Sequence, residues 1–280
     1  RLELVVVDDS PTEVSATLPE PTLAEFVSVK RVCDGDHSGA GDARNTGIRA
    51  AGGEFLAFLD DDDRWKRTKL QRQLSALRSA THAGIAVTGQ RYVSGGQTTT
   101  VRRPTVAGDV TRDILTGASI GPFSTLLVRS SVVERAGLID PCLPVWEDRE
   151  WILRLSQHSD VTSVPDPVVV RRMGEHDQLT DKYEAMRDVA YPRFLEKHRS
   201  LAASYGHDCE REFVASLSTT LAGAALEHGR YDDAGALAWR AVKNQPRAIR
   251  PYLFMLLSIG GWPAYTAAQR LKRAVVRAIR

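Results

Sequence analysis

Aspartates stand directly after two apolar segments of this chain. Residues 4–7 (LVVV) lead to Asp9, and residues 55–59 (FLAFL) lead to four consecutive aspartates at 60–63. Adjacent carboxylates repel one another when they are ionised. A bound divalent cation relieves that repulsion, and hard cations prefer oxygen ligands. The pattern therefore predicts a Mg²⁺ or Mn²⁺ ion that holds a diphosphate, because such ions usually bind one or two carboxylates together with phosphate oxygens.

The order within the acidic run indicates which of its members share a ligand. Side chains at positions i and i+2 of extended backbone point to the same side. Asp60 and Asp62 are therefore predicted to face one ligand, while Asp61 between them points away. The alternative is a solvated acidic loop, or a helix start at which Asp62 and Asp63 complement the positive end of the helix dipole.

A third acidic element, Trp146-Glu147-Asp148, opens a predicted helix over residues 147–157. Acidic residues are ordinary at a helix N-terminus, so a structural role is one interpretation. In the functional interpretation, a carboxylate opposite a metal-bound diphosphate acts as general base. Trp146 would then offer a flat apolar surface to a sugar ring. His176 follows a predicted strand and is either a metal or phosphate ligand or a solvated loop histidine.

Strands and helices alternate along the part of the chain that carries these residues. Such alternation favours an α/β fold with a mainly parallel sheet, in which ligands lie outside the carboxyl ends of the strands. A capping box from Ser131 to Glu134 predicts a short helix that Gly137 closes, and residues 94–120 are predicted as loops. The other predicted strands are 2–7, 26–33, 54–59, 84–93 and a segment within 161–172, and the other predicted helices are 43–51, 65–80 and 147–157.

The composition is that of an ordinary globular protein. The 280 residues are 42% hydrophobic and 26% charged, with a net charge of +2, which excludes collagen-like and disordered chains. The three cysteines, far apart in sequence, fit neither a disulfide scaffold nor a metal-ligand spacing and favour a reducing, cytoplasmic compartment. The longest apolar run, residues 253–259, is too short to cross a bilayer.

The C-terminal hundred or so residues are predicted to be helical. Gly229, Tyr231, Ala234, Ala241 and Pro246 match the second half of a tetratricopeptide repeat. A single repeat cannot form a solenoid. The segment is therefore either a helical appendage that packs on the rest of the protein or a partner-binding surface.

The last residues of the chain are predicted to form a basic amphipathic helix. Leu271, Val275 and Ile279 recur every four residues among several arginines and lysines. Such a helix can lie on an anionic membrane surface, here the inner face of the cell membrane. The alternative is a helix that packs on the body of the protein with its arginines in solvent.

Three strings of this sequence resemble the family 2 glycosyltransferases of the GT-A fold: VVVDDSPTE, GDARNTGIRAAGGEFLAFLDDDDRW and GLIDPCLPVWEDREWILRL. Their order and spacing fit the family over about residues 2–180. The resemblance implies a GT-A (Rossmann-like), mainly parallel sheet with flanking helices, followed by an all-α C-terminal region. It implies a nucleotide-sugar-binding half at 1–93, an acceptor-binding and catalytic-base half at 94–180, and a helical extension at 181–280.

The resemblance also implies an activity, namely inverting, metal-dependent transfer of a sugar from a nucleotide diphosphate sugar to a glycan or lipid-linked acceptor. The acidic run would be the family's D-x-D signature. Asp148 would be the catalytic base. The implied roles of the other residues are nucleotide-sugar binding for Asp9, Ser10, Arg44, Asp60 and Asp61, acceptor binding for Trp146 and Glu147, and metal binding for Asp62 and His176.

The chain departs from the family pattern at its start. Members usually have a further strand, ending in a P-x-Y-N-like motif, about thirty residues before the DDS element. This chain lacks that motif, so a central strand is predicted to be missing and the sheet to be N-terminally incomplete. Two other functions stay open. One is a metal-dependent nucleotidyltransferase, although the loop before Arg44 offers no lysine for phosphate. The other is a non-catalytic binding module for a nucleotide sugar or a partner.

Overall fold

A computed structural model describes residues 2–9, 28–33, 39–172 and 183–278. Contacts divide the chain into two compact units. The sheet unit comprises Arg1–Ile114 and Ser119–Leu179, and the helical unit comprises Leu115–Ala118 and Thr180–Arg280. The predicted halves 1–93 and 94–180 both fall almost entirely within the sheet unit. Ser10 and His176 lie outside the described residues.

The sheet unit contains eight described strands and five described helices. The strands are β1 (Glu3–Asp8), β2 (Ser28–Cys33), β3 (Phe55–Ala57), β4 (Asp63–Trp65), β5 (Ala83–Ser94), β6 (Gln97–Arg102), β7 (Leu126–Arg129) and β8 (Asp160–Arg172). The helices are α1 (Ala40–Ala50), α2 (Lys69–Ser79), α3 (Thr111–Leu115), which ends at the boundary with the helical unit, α4 (Ser130–Ala136) and α5 (Glu147–Ser156). A single 3-10 turn, Phe123–Thr125, precedes β7.

The larger sheet is mixed rather than mainly parallel. Its order is β3-β7-β5-β8-β4, with β6 paired to β5. Within it only β5 and β8 run parallel, whereas β7 is antiparallel to both of its neighbours. β1 and β2 form a separate parallel pair. The parallel arrangement was predicted from apolar runs, which indicate that a strand is buried on both faces but do not indicate its direction. Strand β7 shows the difference, because its Leu126 and Val128 are fully buried although it is antiparallel to both neighbours.

Helix α2 covers this sheet as its spacing predicts. Leu77 packs with Ala83, Ala86 and Leu127, and Leu70 and Leu74 join the same cluster. Phe55 of β3, the strand that leads to the acidic run, packs against the same cluster.

Four local predictions were wrong, one of them being that residues 111–115 lie in a loop, where the structure has α3. The helix predicted from residue 65 begins at Lys69, because 63–65 pair with β8 as β4. Residues 97–102, predicted as loop, form β6 of a hairpin whose turn, Gly95-Gly96, has the positive φ angles that such turns favour. Helix α4 begins at Ser130 without a side-chain cap, and the predicted capping box is absent.

The helical unit confirms the all-α prediction for the C-terminal region. Its described helices are α6 (Tyr183–Ala185), α7 (Tyr191–Ser204), α8 (His207–Glu227), α9 (Tyr231–Asn244) and α10 (Ile249–Ala278), with one π-helical turn at Met186–Ala190. α9 begins in the segment that matches the tetratricopeptide pattern, and its Ala234 and Ala241 are fully buried. Among the described helices, none is long and apolar enough to cross a membrane.

Candidate functional site

Arg44 joins two of the three acidic segments. Its Nη2 atom donates to Asp60 Oδ1 at 2.8 Å, and its Nη1 atom donates to Glu147 Oε1 at 3.0 Å. All three side chains are largely buried, with 11–23% of their side-chain surface exposed. Hydrogen bonds between ionised groups are the stronger ones, and burial strengthens them further. The arginine therefore holds the acidic turn after β3 against the start of α5.

The A-R-N-x-G string explains how Arg44 reaches that position. Asn45, the next residue of α1, is buried and exchanges two 2.9 Å hydrogen bonds with the backbone of Ile139. Two residues further along the helix, a side chain at Gly47 would lie only 3.2 Å from Val7 of β1. The asparagine thus fixes α1 to the loop that leads into α5, and the glycine lets α1 approach β1 closely.

The acidic run forms a tight turn rather than a helix start. The Asp63 N–H donates to the Asp60 carbonyl at 3.1 Å, so Asp61 and Asp62 are the two central residues of the turn. Asp61 is exposed and Asp62 is half-buried. The next helix begins only at Lys69, so the interpretation of Asp62 and Asp63 as partners of a helix dipole is wrong.

Ser124 fixes the backbone of this turn. Its hydroxyl accepts from the Asp60 N–H at 3.1 Å, and its carbonyl accepts from Trp65 Nε1 at 2.8 Å. Ser124 is itself fully buried in the turn before β7. These two hydrogen bonds connect Ser124 to Asp60, the first residue of the turn, and to Trp65, two positions after its last residue.

Asp63 has a partner that the sequence did not indicate. It lies on β4, is buried, and stands 3.4 Å from Arg171 Nε on the neighbouring strand β8. Burial raises the pKa of the Asp63 carboxyl, and the Ser124 side chain and Arg171 partly oppose that rise. The signal that could have found this pair is the Arg171-Arg172 doublet at the end of an apolar strand.

Helix α5 presents two adjacent carboxylates. Trp146, immediately before it, has φ 65°, the only positive φ of a non-glycine residue among the residues that the structure describes. Such left-handed conformations concentrate at functional sites. Burial, with repulsion from Asp148, raises the pKa of Glu147 to about 7 against the attraction of Arg44.

Asp148 is the second of these carboxylates. Its Oδ1 atom accepts from the Arg149 N–H at 2.6 Å. Burial raises its pKa, while that hydrogen bond, Arg44 and Arg171 oppose the rise, and Asp60 adds a small repulsion. Asp148 therefore lies within electrostatic range of both Arg44 and Asp60. A partly desolvated carboxylate beside other charged groups is a candidate general base.

An aromatic cluster supports the Arg44 bridge. Phe58, Phe123 and Trp151 pack with ring centroids 5.4–5.7 Å apart. The Arg44 guanidinium lies over the Phe123 ring, 4.2 Å from its centroid, which is a favourable cation–π distance. The sequence does not predict this cluster. Phe58 and Phe123 are 65 positions apart, Phe123 and Trp151 are 28 positions apart, and no local pattern relates them.

A buried lysine is the first residue of α2. Lys69 is fully buried, and its Nζ atom donates to Gln73 Oε1 at 2.8 Å and to the Leu126 carbonyl at 3.2 Å. The same atom lies 3.9 Å from the centroid of the Trp65 ring. Burial lowers the pKa of Lys69 to about 7. The sequence had not singled out this residue.

The other predicted site residues are placed less fully. Asp9 follows β1, two positions beyond Val7, and is half-buried. Its approach to the Arg44 cluster stays a prediction. Ser10 and His176 lie outside the described residues, so their roles also stay predictions.

The carboxylates of the acidic turn differ in how far they are available to a metal ion. Among the described residues, no group of three or more His, Cys, Asp or Glu side chains is arranged to hold a metal ion. Asp60 is already paired with Arg44. Asp62 is the half-buried carboxylate of the turn, and a single carboxylate suits Mg²⁺ or Mn²⁺ when a ligand's phosphates supply further oxygens. The binding of such an ion at Asp62 stays a prediction.

Known proteins match this chain over part of its length. Residues 1–131 match the family model described as Glycosyl transferase family 2. An uncharacterized glycosyltransferase of Nostoc sp. is 31% identical over 155 residues, which cover 52% of this chain and 48% of the relative. The Escherichia coli UDP-Glc:alpha-D-GlcNAc-diphosphoundecaprenol beta-1,3-glucosyltransferase WfgD is 36% identical over 27% of this chain and 29% of its own length. The chain thus spans about half or less of these relatives.

Solved structures match over most of the chain. The crystal structure of S. aureus TarS 1-349 has a TM-score of 0.53 and 18% identity, covering 88% of this chain and 83% of that chain. The same protein in complex with UDP-GlcNAc gives a TM-score of 0.50 and 17% identity, covering 90% and 81%. The likeness confirms the predicted fold class, a GT-A sheet with flanking helices and a helical C-terminal region.

Proposed function

We propose, on the premise that residues 1–131 of this chain belong to glycosyl transferase family 2, that the protein transfers a sugar from a nucleotide diphosphate sugar to an acceptor hydroxyl. The observation that carries the proposal is the Arg44 bridge, which brings the acidic turn at Asp60 and the start of α5 at Glu147 together. A donor-binding turn and a base must lie close together for one displacement to occur. The relatives' names point to UDP-sugars, since WfgD is named for UDP-Glc and TarS was crystallised with UDP-GlcNAc.

Asp148 is the proposed base in a single displacement with inversion. Its carboxylate would take the acceptor's hydroxyl proton from a distance of about 2.6–3.2 Å. The acceptor oxygen forms a bond to the anomeric carbon as the bond from that carbon to the diphosphate oxygen breaks. The electron pair of the broken bond leaves with the nucleoside diphosphate. Burial that raises the pKa of Asp148 brings it nearer to the value at which a base accepts a proton effectively at neutral pH.

The remaining residues take supporting roles in this proposal. Arg44 supplies positive charge beside the donor's diphosphate and keeps Asp60 in place near the ribose. Trp146 and Glu147 border the acceptor. Asp9, Ser10 and Asp61 complete the nucleotide side.

A divalent cation is the proposed cofactor. Asp62 would hold Mg²⁺ or Mn²⁺, with His176 as a further predicted ligand. The ion would neutralise the negative charge that grows on the departing diphosphate. The half-buried position of Asp62 in the turn, next to charged groups that are already paired, supports this assignment.

The proposed acceptor is a cell-surface glycan or a lipid-linked precursor of one, within polysaccharide, glycolipid or glycoprotein synthesis. WfgD is named for a diphosphoundecaprenol-linked sugar, which is a membrane-bound acceptor. Contact of this chain with a membrane is part of the same proposal. A cytoplasmic location on the inner face of the membrane would suit both substrates.

Asp148→Asn provides the test, with Asp208→Asn as a matched control because Asp208 is exposed on α8. The full chain is incubated with UDP-glucose or UDP-GlcNAc and Mn²⁺, water serving as acceptor. Release of UDP and free sugar is measured, and UDP binding is followed by calorimetry. We expect Asp148→Asn to lower UDP release by at least about 100-fold, as general-base removal does, with UDP binding within about twofold of the wild type.

Three results would contradict the proposal in different ways. Unchanged turnover of Asp148→Asn would remove Asp148 as the base. UDP-sugar binding without any release by the wild type would favour the non-catalytic binding module. Release of pyrophosphate from a nucleoside triphosphate and a sugar phosphate would favour the nucleotidyltransferase.

A further inference from the structure

Helix α10 carries an exposed apolar stripe in the helical unit. Each of its five members exposes between 41% and 83% of its surface. The stripe consists of Ile249, Tyr252, Leu253, Leu256 and Ile259. Contiguous apolar surface of this kind usually marks an interaction site.

The stripe covers one face of the helix. Spacings of three and four residues place its members within about a third of the helix circumference. The opposite face is occupied, because Pro251 is buried and an added side chain at Gly223 or Gly235 would meet Phe254 or Ser258 at 3.3 and 3.0 Å. The helix is therefore held on α8 and α9 by its inner face, and the stripe points away from them.

Two aromatic residues extend the apolar surface past a bend. The helix kinks at Gly261, whose φ is 58°. Trp262 follows with 61% of its surface exposed, and its ring lies 6.5 Å from that of Tyr265. Trp and Tyr are enriched where protein meets the boundary between lipid headgroups and acyl chains.

The charge of this region is entirely positive. Residues 234–280 contain nine arginines and lysines and no aspartate or glutamate, although the whole chain carries 37 cationic and 35 anionic residues. Arg247 and Arg250 lie beside the stripe, and Arg270 follows the kink, all exposed. Lys272, Arg273, Arg277 and Arg280 come later in the sequence. A partner must therefore offer negative charge together with an apolar layer.

We infer that helix α10 attaches the protein to an anionic lipid surface, with its exposed stripe and Trp262 at the headgroup boundary and Arg247, Arg250 and Arg270 on lipid phosphates. A helix with an apolar face, a basic surround and no capacity to span the bilayer lies in the interface plane. A second copy of this chain fits less well. Residues 234–280 contain no aspartate or glutamate, so a second copy would offer this segment only more positive charge, and like charges repel.

The surface differs from the one that the sequence pattern predicted. That pattern pointed to Leu271, Val275 and Ile279, whose side chains lie outside what the structure describes. The stripe at 249–259 precedes them in the sequence. The inference rests on the membrane contact named in the proposed function and identifies its surface. It does not depend on the transferase activity itself, because it uses no site residue and no substrate.

The test is vesicle co-sedimentation of the full chain. One vesicle set contains phosphatidylcholine alone, and the other contains about a third phosphatidylglycerol, which gives the surface a negative potential. We expect binding at least about tenfold stronger to the anionic set, and weaker binding at high salt. Soluble glycerol phosphate at matched concentration should not compete, since it offers charge without an apolar layer.

Two variants separate the apolar and electrostatic contributions. Leu253→Gln/Leu256→Gln should weaken partitioning by at least about tenfold, since each buried methylene contributes to such binding. Arg270→Gln/Lys272→Gln/Arg273→Gln should remove most of the preference for anionic lipid. Val101→Gln, an equivalent change at an exposed apolar residue of β6, should leave binding unchanged. Circular dichroism and thermal unfolding establish that each variant is folded.

Several results would overturn the inference. Folded wild-type protein that fails to bind the anionic vesicles would do so, as would binding that neither variant alters. Sedimentation equilibrium provides a further arm, since a dimer that Leu253→Gln/Leu256→Gln dissociates would assign the stripe to a second copy instead. UDP-sugar turnover, measured separately, reports on the proposed activity alone.

Discussion

Arg44 donates to Glu147 at 3.0 Å across 103 positions of sequence. This contact links α1, which follows the first parallel strand pair, to the first residue of α5. The same guanidinium also binds Asp60. One side chain therefore connects the acidic turn to the carboxylates of α5.

Replacing Arg44 with lysine should separate these two segments. A lysine keeps the charge, but its three donors lie on a single nitrogen. It therefore cannot reproduce the forked geometry by which arginine binds two carboxylates. We expect UDP binding to weaken by at least about tenfold, the equivalent of about 1.4 kcal/mol. Arg49→Lys, an exposed position on the same helix, is the control and should bind UDP normally. Equal affinity for the two variants, measured by calorimetry, would remove Arg44 from the donor site.

Asp62→Ala should reduce the metal dependence of nucleotide binding. A carboxylate that helps to hold Mn²⁺ contributes to affinity only when the ion is present. We expect Mn²⁺ to strengthen UDP binding to the wild type by at least about tenfold, and this enhancement to shrink in the variant. Asp208→Asn serves again as the control. If the wild type binds UDP equally in Mn²⁺ and in EDTA, the proposed metal role of Asp62 is wrong.

Lys69 should make the stability of the protein depend on pH. Burial lowers its pKa to about 7 in the folded state, whereas an unfolded lysine titrates near about 10.4. Between these values the unfolded chain holds the extra proton, so the free energy of unfolding rises as the pH increases. The contribution of this one group is at most about 1.4 kcal/mol per pH unit.

Lys69→Met isolates that contribution. Methionine removes the titrating group while keeping an unbranched apolar chain at a buried position. Urea unfolding between pH 7 and pH 9, in which the free energy is extrapolated to water at each pH, should give a shallower rise for the variant than for the wild type. Parallel curves for the two proteins would mean that Lys69 stays charged in the folded state.

Local patterns of residues predicted much of the fold. The spacing of Leu70, Leu74 and Leu77 predicted both the existence of α2 and its buried face. The start of that helix was misplaced, because the segment at Asp63–Trp65 pairs with β8, a partner about a hundred positions away. The capping box predicted at Ser131 is also absent. Ser130 is the first residue of α4, and its hydroxyl donates a hydrogen bond to the Glu54 carbonyl instead of capping the helix.

The sequence indicated which residues belong to the candidate site, but not which of them contact one another. Adjacent carboxylates at Asp60 and at Glu147 attract notice because like charges in sequence need an explanation. Their connection through Arg44 is a contact between distant segments, and so is the pairing of Asp63 with Arg171. The aromatic support around Phe123 has no signal in the sequence, since buried aromatic residues are common in any core.

The sequence by itself determined the alternation of strands and helices, the position of the acidic run after an apolar strand, the all-α character of the C-terminal region and its positive charge. These properties follow from hydrophobic periodicity and from charge, which are read over neighbouring residues. Only the tertiary structure decided the direction of β7, the turn that separates Asp60 from Asp63, and the face of α10 that stays exposed. Those depend on which distant segments exclude water from one another, and no window of neighbouring residues contains that information.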